Sequence, residues 1–222
     1  MLVRERMTQN PITVAPDLSV PEALRLMRDK KVRRFPVVDH HGKLVGIVSD
    51  KDLLQAGPSA ATTLAIWEIT ELLSKLKVSE VMSREVITVQ DDTPLEEAAR
   101  IMADGRIGGL GRIGGLLVMR GDKLVGLITE TDLFKSLLEL LGGRRPGVRI
   151  TVATPGGKGE LAAITNAIFS AGGNIVGLAA REIEAGAETH WEVTFKVQDV
   201  TVEALSAALK PVTRAILDAR QA

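Results

Sequence analysis

The chain of 222 residues contains no cysteine. That excludes disulfides, cysteine nucleophiles and thiolate metal sites. Tyrosine is also absent and aromatics make up only 3% of residues, which argues against stacking nucleic-acid bases on aromatic platforms. There is no run of about 18 apolar residues, so no transmembrane helix is expected. Neither sign of charge prevails: 28 Lys+Arg stand against 28 Asp+Glu, and nothing draws the whole molecule to nucleic acid or to an anionic membrane. The opening stretch Met1–Met7 has no apolar signal core, and the expected location is cytoplasmic. His40, His41 and His190 lack metal-ligand spacing, so no metal site is expected. No Ser-His-Asp, paired-carboxylate or metal constellation stands out, so no catalytic residue is assigned.

What the chain does have is a duplication. Ile12, Thr13 and Val14, then Val20, Ala23, Leu24 and Met27, return 75 positions later as Ile87, Thr88 and Val89, then Leu95, Ala98, Ala99 and Met102. The run Lys43–Leu53 returns 80 positions later as Lys123–Leu133. Such a repeat is too long for a helical solenoid and too few in number for an array. It reads as a small α/β unit present twice, which points to a paired binding module. Ser19–Glu22 and Thr93–Glu96 both read as capping boxes with a proline in the first turn. The apolar residues behind them recur at i, i+3, i+4 and i+7, one buried helix face. In copy one, strands at 35–38 and 44–48 follow, joined by an Asp39–Gly42 turn. A second helix starts at Ser49 with Asp52 three residues on, an N-cap pair that Thr129 and Asp132 repeat. Between the copies, Ile66, Ile69, Leu73 and Leu76 have helical spacing, so a linking helix is expected there, with Trp67 beside it as a packing residue.

The run Phe35–Asp39, together with Gly-h-h-[ST]-x-x-Asp at Gly46–Asp52 and again at Gly126–Asp132, resembles a tandem pair of CBS domains, a Bateman module, over about residues 1–141. The resemblance implies a binder of adenine nucleotides or related adenosyl ligands. It implies that the motif Asp receives the ribose hydroxyls, that the Ser/Thr sits near phosphate, and that the Thr-bearing first strand lines the base. Carried over, the candidates are Thr13, Ser49 and Asp52 in copy one and Thr88, Thr129 and Asp132 in copy two, with Arg34 as a phosphate contact and Pro36 in the adjoining strand. The chemistry fits: a carboxylate accepts two bonds from a diol, and a hydroxyl with helix N-terminal N–H groups suits phosphate. The alternative is plain N-capping, with Asp52 and Asp132 favouring the helix dipole. For the cluster Lys30, Lys31, Arg33 and Arg34 the alternative is a solvated helix end.

Gly109, Gly111 and Gly114 match the dinucleotide fingerprint G-x-G-x-x-G, but the context is wrong. They follow a helix and lead into a strand. The match arises because the hexapeptide Arg106–Gly111 is echoed from Arg112 onward. The extra hexapeptide is read as a loop addition, at a place where the family builds its second site. Copy two also has Leu117 for Pro36 and Glu130 for Asp50, so the nucleotide is expected at the intact Gly46–Asp52 motif of copy one, with Arg34 nearby.

Gly142–Gly147 is a breaker run. After it, the order is a strand with Val148, Ile150 and Val152, a helix with Leu161, Ile164 and Ile168, and a strand over 174–183. Then come a strand alternating Trp191, Val193, Phe195 and Val197, a helix with Val202, Leu205 and Leu209, and a strand over 215–219. This is βαββαβ, ferredoxin-like. With Gly159, Glu160 and Leu161 opening the first helix and Gly172–Ile175 before the second strand, it resembles an ACT domain. That resemblance implies an amino-acid site at a dimer interface near Gly159, Glu160, Leu161, Asn174 and Ile175; the other reading is a dimerisation module with no ligand. The usual Asp-x-Pro-Gly turn stands here as Gly156–Gly159, without the acid or the proline.

The expected fold is therefore α/β (α+β): two CBS repeats packed about a pseudo-two-fold axis plus a ferredoxin-like βαββαβ ACT domain. The expected limits are 1–60 and 78–141 for the repeats, 61–77 for the linking helix and 147–221 for the last domain. The CBS–CBS–ACT order resembles the acetoin-utilisation CBS–ACT proteins. It implies a regulatory homodimer that senses adenine nucleotide as an allosteric ligand, requires no cofactor, and has no nucleic-acid or membrane partner. The rival readings are a scaffold with degenerate sites and an enzyme.

Overall fold

Two short strands and a helix cap decide how the first part of the chain is put together. The computed structural model describes residues 1–56, 66–107, 111–112, 114–185 and 188–222. They fall into two units, Met1–Leu133 and Phe134–Ala222.

In the first unit a turn at Val3–Glu5 precedes β1 (Thr8–Gln9) and α1 (Val20–Lys30). Ser19 and Glu22 cap α1 reciprocally, as their spacing predicts, and Lys31 in the left-handed region ends it. β2 (Arg34–Val38) and β3 (Leu44–Ser49) form an antiparallel hairpin. Its turn is held by Asp39, whose Oδ1 accepts the N–H groups of His41 and Lys43 at 2.9 Å each. α2 (Asp50–Gln55), α3 (Ile66–Lys75), α4 (Val78–Val81) and β4 (Thr88–Gln90) follow, then α5 (Leu95–Asp104). α3 falls on the expected linking stripe; residues 61–65 lie outside the described residues. β5 (Arg106–Ile107) and β6 (Gly111–Arg112) lead to the hairpin of β7 (Gly115–Arg120) and β8 (Lys123–Thr129).

The two copies exchange their leading segments. β1 pairs on β8 of the second copy, with Thr8 opposite Leu127. Val3 donates to the Thr93 carbonyl at 2.9 Å and is buried among Val89, Leu95, Met102, Leu116 and Ile128. The mirror arrangement holds in copy one. Ser83 bridges Ile47, Val78 donates to the Leu18 carbonyl at 2.9 Å, and Val78 is buried with Val20, Met27, Phe35, Val48 and Leu53. The motif glycines make this possible. A Cβ on Gly46 would stand 2.6 Å from Met82 Sδ, and one on Gly126 would collide with Met7 Sδ.

The exchange also explains a difference at α5. Thr93 is not its cap: Pro94 occupies the N-cap position and no side chain bonds there. The Leu95 N–H instead donates to the Met1 carbonyl at 3.0 Å, so the leading segment supplies the acceptor that a capping box would have supplied. The hexapeptide folds back on itself at the start of its echo, Ile107 opposite Gly111 and Arg106 opposite Arg112. It lies between a helix and a strand, not between a strand and a helix as a dinucleotide fingerprint requires.

α6 (Glu130–Leu140) crosses the division between the units. The second unit then runs β9 (Val148–Thr154), α7 (Glu160–Ser170), β10 (Asn174–Ala185), β11 (Glu188–Gln198), α8 (Val202–Leu209) and β12 (Ala215–Gln221). The sheet order is β10-β11-β9-β12, antiparallel throughout, which is the βαββαβ arrangement read from the alternation. Ile150, Val152, Val193, Phe195 and Val197 pack against Ile164, Ile168, Leu205 and Leu209. Leu161, on the opening turn of α7, is 48% exposed and stays outside this core. Among the described residues no helix is long and apolar enough to cross a membrane.

Candidate functional site

Asp132 and Thr129 meet first as a helix cap. The Thr129 N–H and Oγ1 both donate to Asp132 Oδ2, at 2.9 and 2.7 Å. Ser49 and Asp52 do the same at α2, at 2.8 and 2.6 Å. Capping is therefore the local role of both pairs. What distinguishes them is the surroundings.

Because β1 lies antiparallel on β8, the chain leaving it runs toward the start of β8, and the Asn10 N–H donates to the Val125 carbonyl at 3.0 Å. Asn10, Pro11 and Ile12 thus become one wall of a cleft of about 580 Å³ whose floor is Leu127 and Thr129–Asp132. The opposite wall is the stretch Lys31–Phe35, where the end of α1 turns into β2, with Gly114 beside it. This volume lies within the range of small-molecule pockets. One wall carries Lys31, Arg33 and Arg34; the floor carries the Thr129 hydroxyl and the carboxylates of Glu130 and Asp132. Cations for an anion thus face acceptors for hydroxyl groups across a single cleft.

Arg34 is the most perturbed of these groups. Its partly buried guanidinium lies against the Gly114–Gly115 backbone, so close that a Cβ on Gly115 would stand 2.6 Å from one of its nitrogens. Burial pushes its pKa below the usual arginine value, opposed by the charges of Asp50, Glu130 and Asp52. Among the described residues no hydrogen bond or close ion pair satisfies this guanidinium.

The structure gathers the candidates differently from a copy-by-copy grouping. Arg34, Thr129 and Asp132 share the cleft. Thr13 does not line it; with Asp17, Asp39 and His40 it borders a separate, smaller cleft of about 340 Å³. Pro36 is buried in β2, Thr88 is exposed on β4 opposite Leu117, and Ser49 and Asp52 cap α2; none of these lines the Asp132 cleft. The physical reason is the exchange: the leading segment of copy one runs over the motif of copy two. Asn10, Ile12, Phe35, Leu127 and Glu130 were not singled out for this cleft from the sequence. The available signal was a glycine inside each strand, Gly46 and Gly126, which marks a close backbone approach.

In the second unit, Gly159 and Glu160 open α7 beyond the Thr154 end of the sheet. The Glu160 carboxylate accepts the Gly156 N–H at 2.9 Å. Asn174 and Ile175 begin β10 beside Gln198 and Val197, at the opposite end of the sheet from Trp191, which pairs with Thr154. One chain therefore does not bring the two groups together.

Comparison with known proteins bears on the first unit. The profile of the CBS domain matches residues 3–59 and 78–139. A CBS domain-containing protein of Dictyostelium discoideum is 33% identical over 141 residues, spanning 64% of this chain and 94% of that protein. The crystal structure of a putative acetoin utilization protein (AcuB) from Vibrio cholerae is similar with a TM-score of 0.50 and 34% identity, over 63% of this chain and 94% of that one. The CBS domain pair of protein MJ0100, solved in complex with 5′-methylthioadenosine and S-adenosyl-L-methionine, has a TM-score of 0.50 at 27% identity, over 65% of this chain and 98% of that one.

Proposed function

The chain belongs to the CBS-domain family, and from that premise we propose that it is a cytoplasmic regulatory protein that binds an adenine nucleotide or adenosyl ligand in the Asp132 cleft. One observation carries the reading: Lys31, Arg33 and Arg34 line the same cleft, of nucleotide size, as Thr129 and Asp132. Arg34 and its neighbours take the phosphate, Arg34 by a two-pronged contact from a guanidinium that has no hydrogen bond or close ion pair among the described residues. Asp132 takes the ribose hydroxyls while it holds Thr129 through Oδ2. Ile12, exposed at the rim, offers apolar surface to the base. The adenosyl ligands bound by the similar pair of MJ0100 support this class of ligand.

The chemistry in the cleft is that of binding, and regulation rather than catalysis is the proposed role. The second unit, with its βαββαβ order, is proposed to be an ACT-type domain whose task is dimerisation. The observation that favours this over amino-acid binding is Glu160, whose carboxylate already takes the Gly156 N–H in the turn to which the resemblance assigns the amino acid. A thermal-shift panel of AMP, ADP, ATP and S-adenosylmethionine tests the central reading. A ligand at 100 times its Kd adds about 2.7 kcal/mol of stability. No shift with any of the four identifies a scaffold with degenerate sites instead.

A further inference from the structure

The two copies are not equivalent around their motifs. Strand register sets the correspondence. Arg34 pairs with Ser49 as Gly115 pairs with Thr129, so Gly115 stands in copy two where Arg34 stands in copy one, and Gly114 stands where Arg33 does. The leading segments differ in the same sense. Thr8 opposite Leu127 corresponds to Ser83 opposite Ile47, which puts the exposed Glu85 where Asn10 lies. The Asp132 cleft thus has two arginines and an amide on its walls, and the corresponding positions about Asp52 have two glycines and a carboxylate. Lys31 corresponds in register to Arg112, whose side chain lies outside the described residues.

Arg34 links the two sets. Gly114 and Gly115 have no side chains, and the guanidinium of Arg34 occupies the space a Cβ would fill. From there its charge is felt by Asp50 and Asp52 on one side and by Glu130 on the other. A nucleotide at Asp52 would bring its phosphate to glycines and to Glu85, and the cation beside those glycines is Arg34, which belongs to copy one and also lines the Asp132 cleft.

We propose that the pair binds one nucleotide per chain, in the Asp132 cleft, and that the replacement of Arg33 and Arg34 by Gly114 and Gly115 is what makes the Asp52 counterpart unable to hold a phosphate. This rests on the nucleotide reading above. Titration calorimetry of the full chain with AMP tests it. The expected result is one AMP per chain. Asp132→Asn and Arg34→Ala each raise the Kd at least tenfold, while Asp52→Ala leaves both stoichiometry and Kd within twofold. Ligand-free thermal unfolding of each variant reports its folding separately, and the stoichiometry of the unaltered chain stands without any variant. Two AMP per chain overturns the inference and leaves the nucleotide reading in place, whereas one AMP lost with Asp52→Ala and kept with Asp132→Asn overturns both the inference and the placement of the nucleotide at Asp132. No binding of AMP, ATP or S-adenosylmethionine by the unaltered chain removes both.

Discussion

At the scale of single residues, the same side chains do structural and binding work. Asp132 caps α6 with one oxygen and lines the cleft. Asp132→Asn is expected to weaken AMP binding by about 1.5–3 kcal/mol, the usual cost of losing hydrogen bonds to a charged group. Isothermal titration measures this, and an unchanged affinity would take Asp132 out of the site. The motif glycines make a separate prediction. Gly46→Ala pushes a Cβ against Met82 Sδ and the Ser83 carbonyl. The expected loss is about 1–3 kcal/mol in urea unfolding, the cost of overpacking a closed contact. A variant as stable as the parent would show that the exchanged segment yields freely. In the second unit, Asp218 has its pKa held low by Arg220 and also by Arg149. A lowered carboxylate adds stability above its unfolded pKa and loses it as pH falls through the folded one. The stability gap between parent and Asp218→Asn is therefore expected at neutral pH and to close on acidification below the ordinary Asp range. A gap that persists unchanged in acid would contradict the ion pairing.

At the scale of elements, period and punctuation carried the sequence reading a long way. The capping box at Ser19, the linking helix, the two hairpins and the βαββαβ order all follow from short-range rules, because caps, turns and apolar stripes are local. The exchange of leading segments is not local. Nothing in Met1–Gln9 names the partner strand 119 positions away, where Thr8 meets Leu127, and only the strand glycines hint at it. Thr13, Ser49 and Asp52 group by the copy they share, and the fold adds a cleft that joins Ile12 and Arg34 to Asp132. The duplicated hexapeptide tests a different point. Its two short strands pair with each other, Arg106 with Arg112. Deleting Arg106–Gly111 is expected to leave the fold intact, since surface loop length costs little. Loss of the native circular-dichroism spectrum on deletion would show instead that the insert is packed into the unit.

At the scale of the whole molecule, the proposal is a homodimer. Two features motivate it: exposed apolar residues on α3 and α6, such as Leu72 and Phe134, and the open edge strands β10 and β12 of the second unit. Two-fold pairing is the commonest closed arrangement. Light scattering at micromolar concentration is expected to give twice the chain mass of 23.8 kDa; the monomer mass would end that proposal. A sensor in this form needs its ligand to favour one arrangement of the repeats, and that begins with where the ligand sits. The most direct measurement is a crystal structure of the chain grown with AMP. The expected result is phosphate density against Arg34 and its neighbours Lys31 and Arg33, with the ribose hydroxyls on Asp132. AMP bound instead beside Thr13 or Asp52, with the Asp132 cleft holding only solvent, would contradict the central claim.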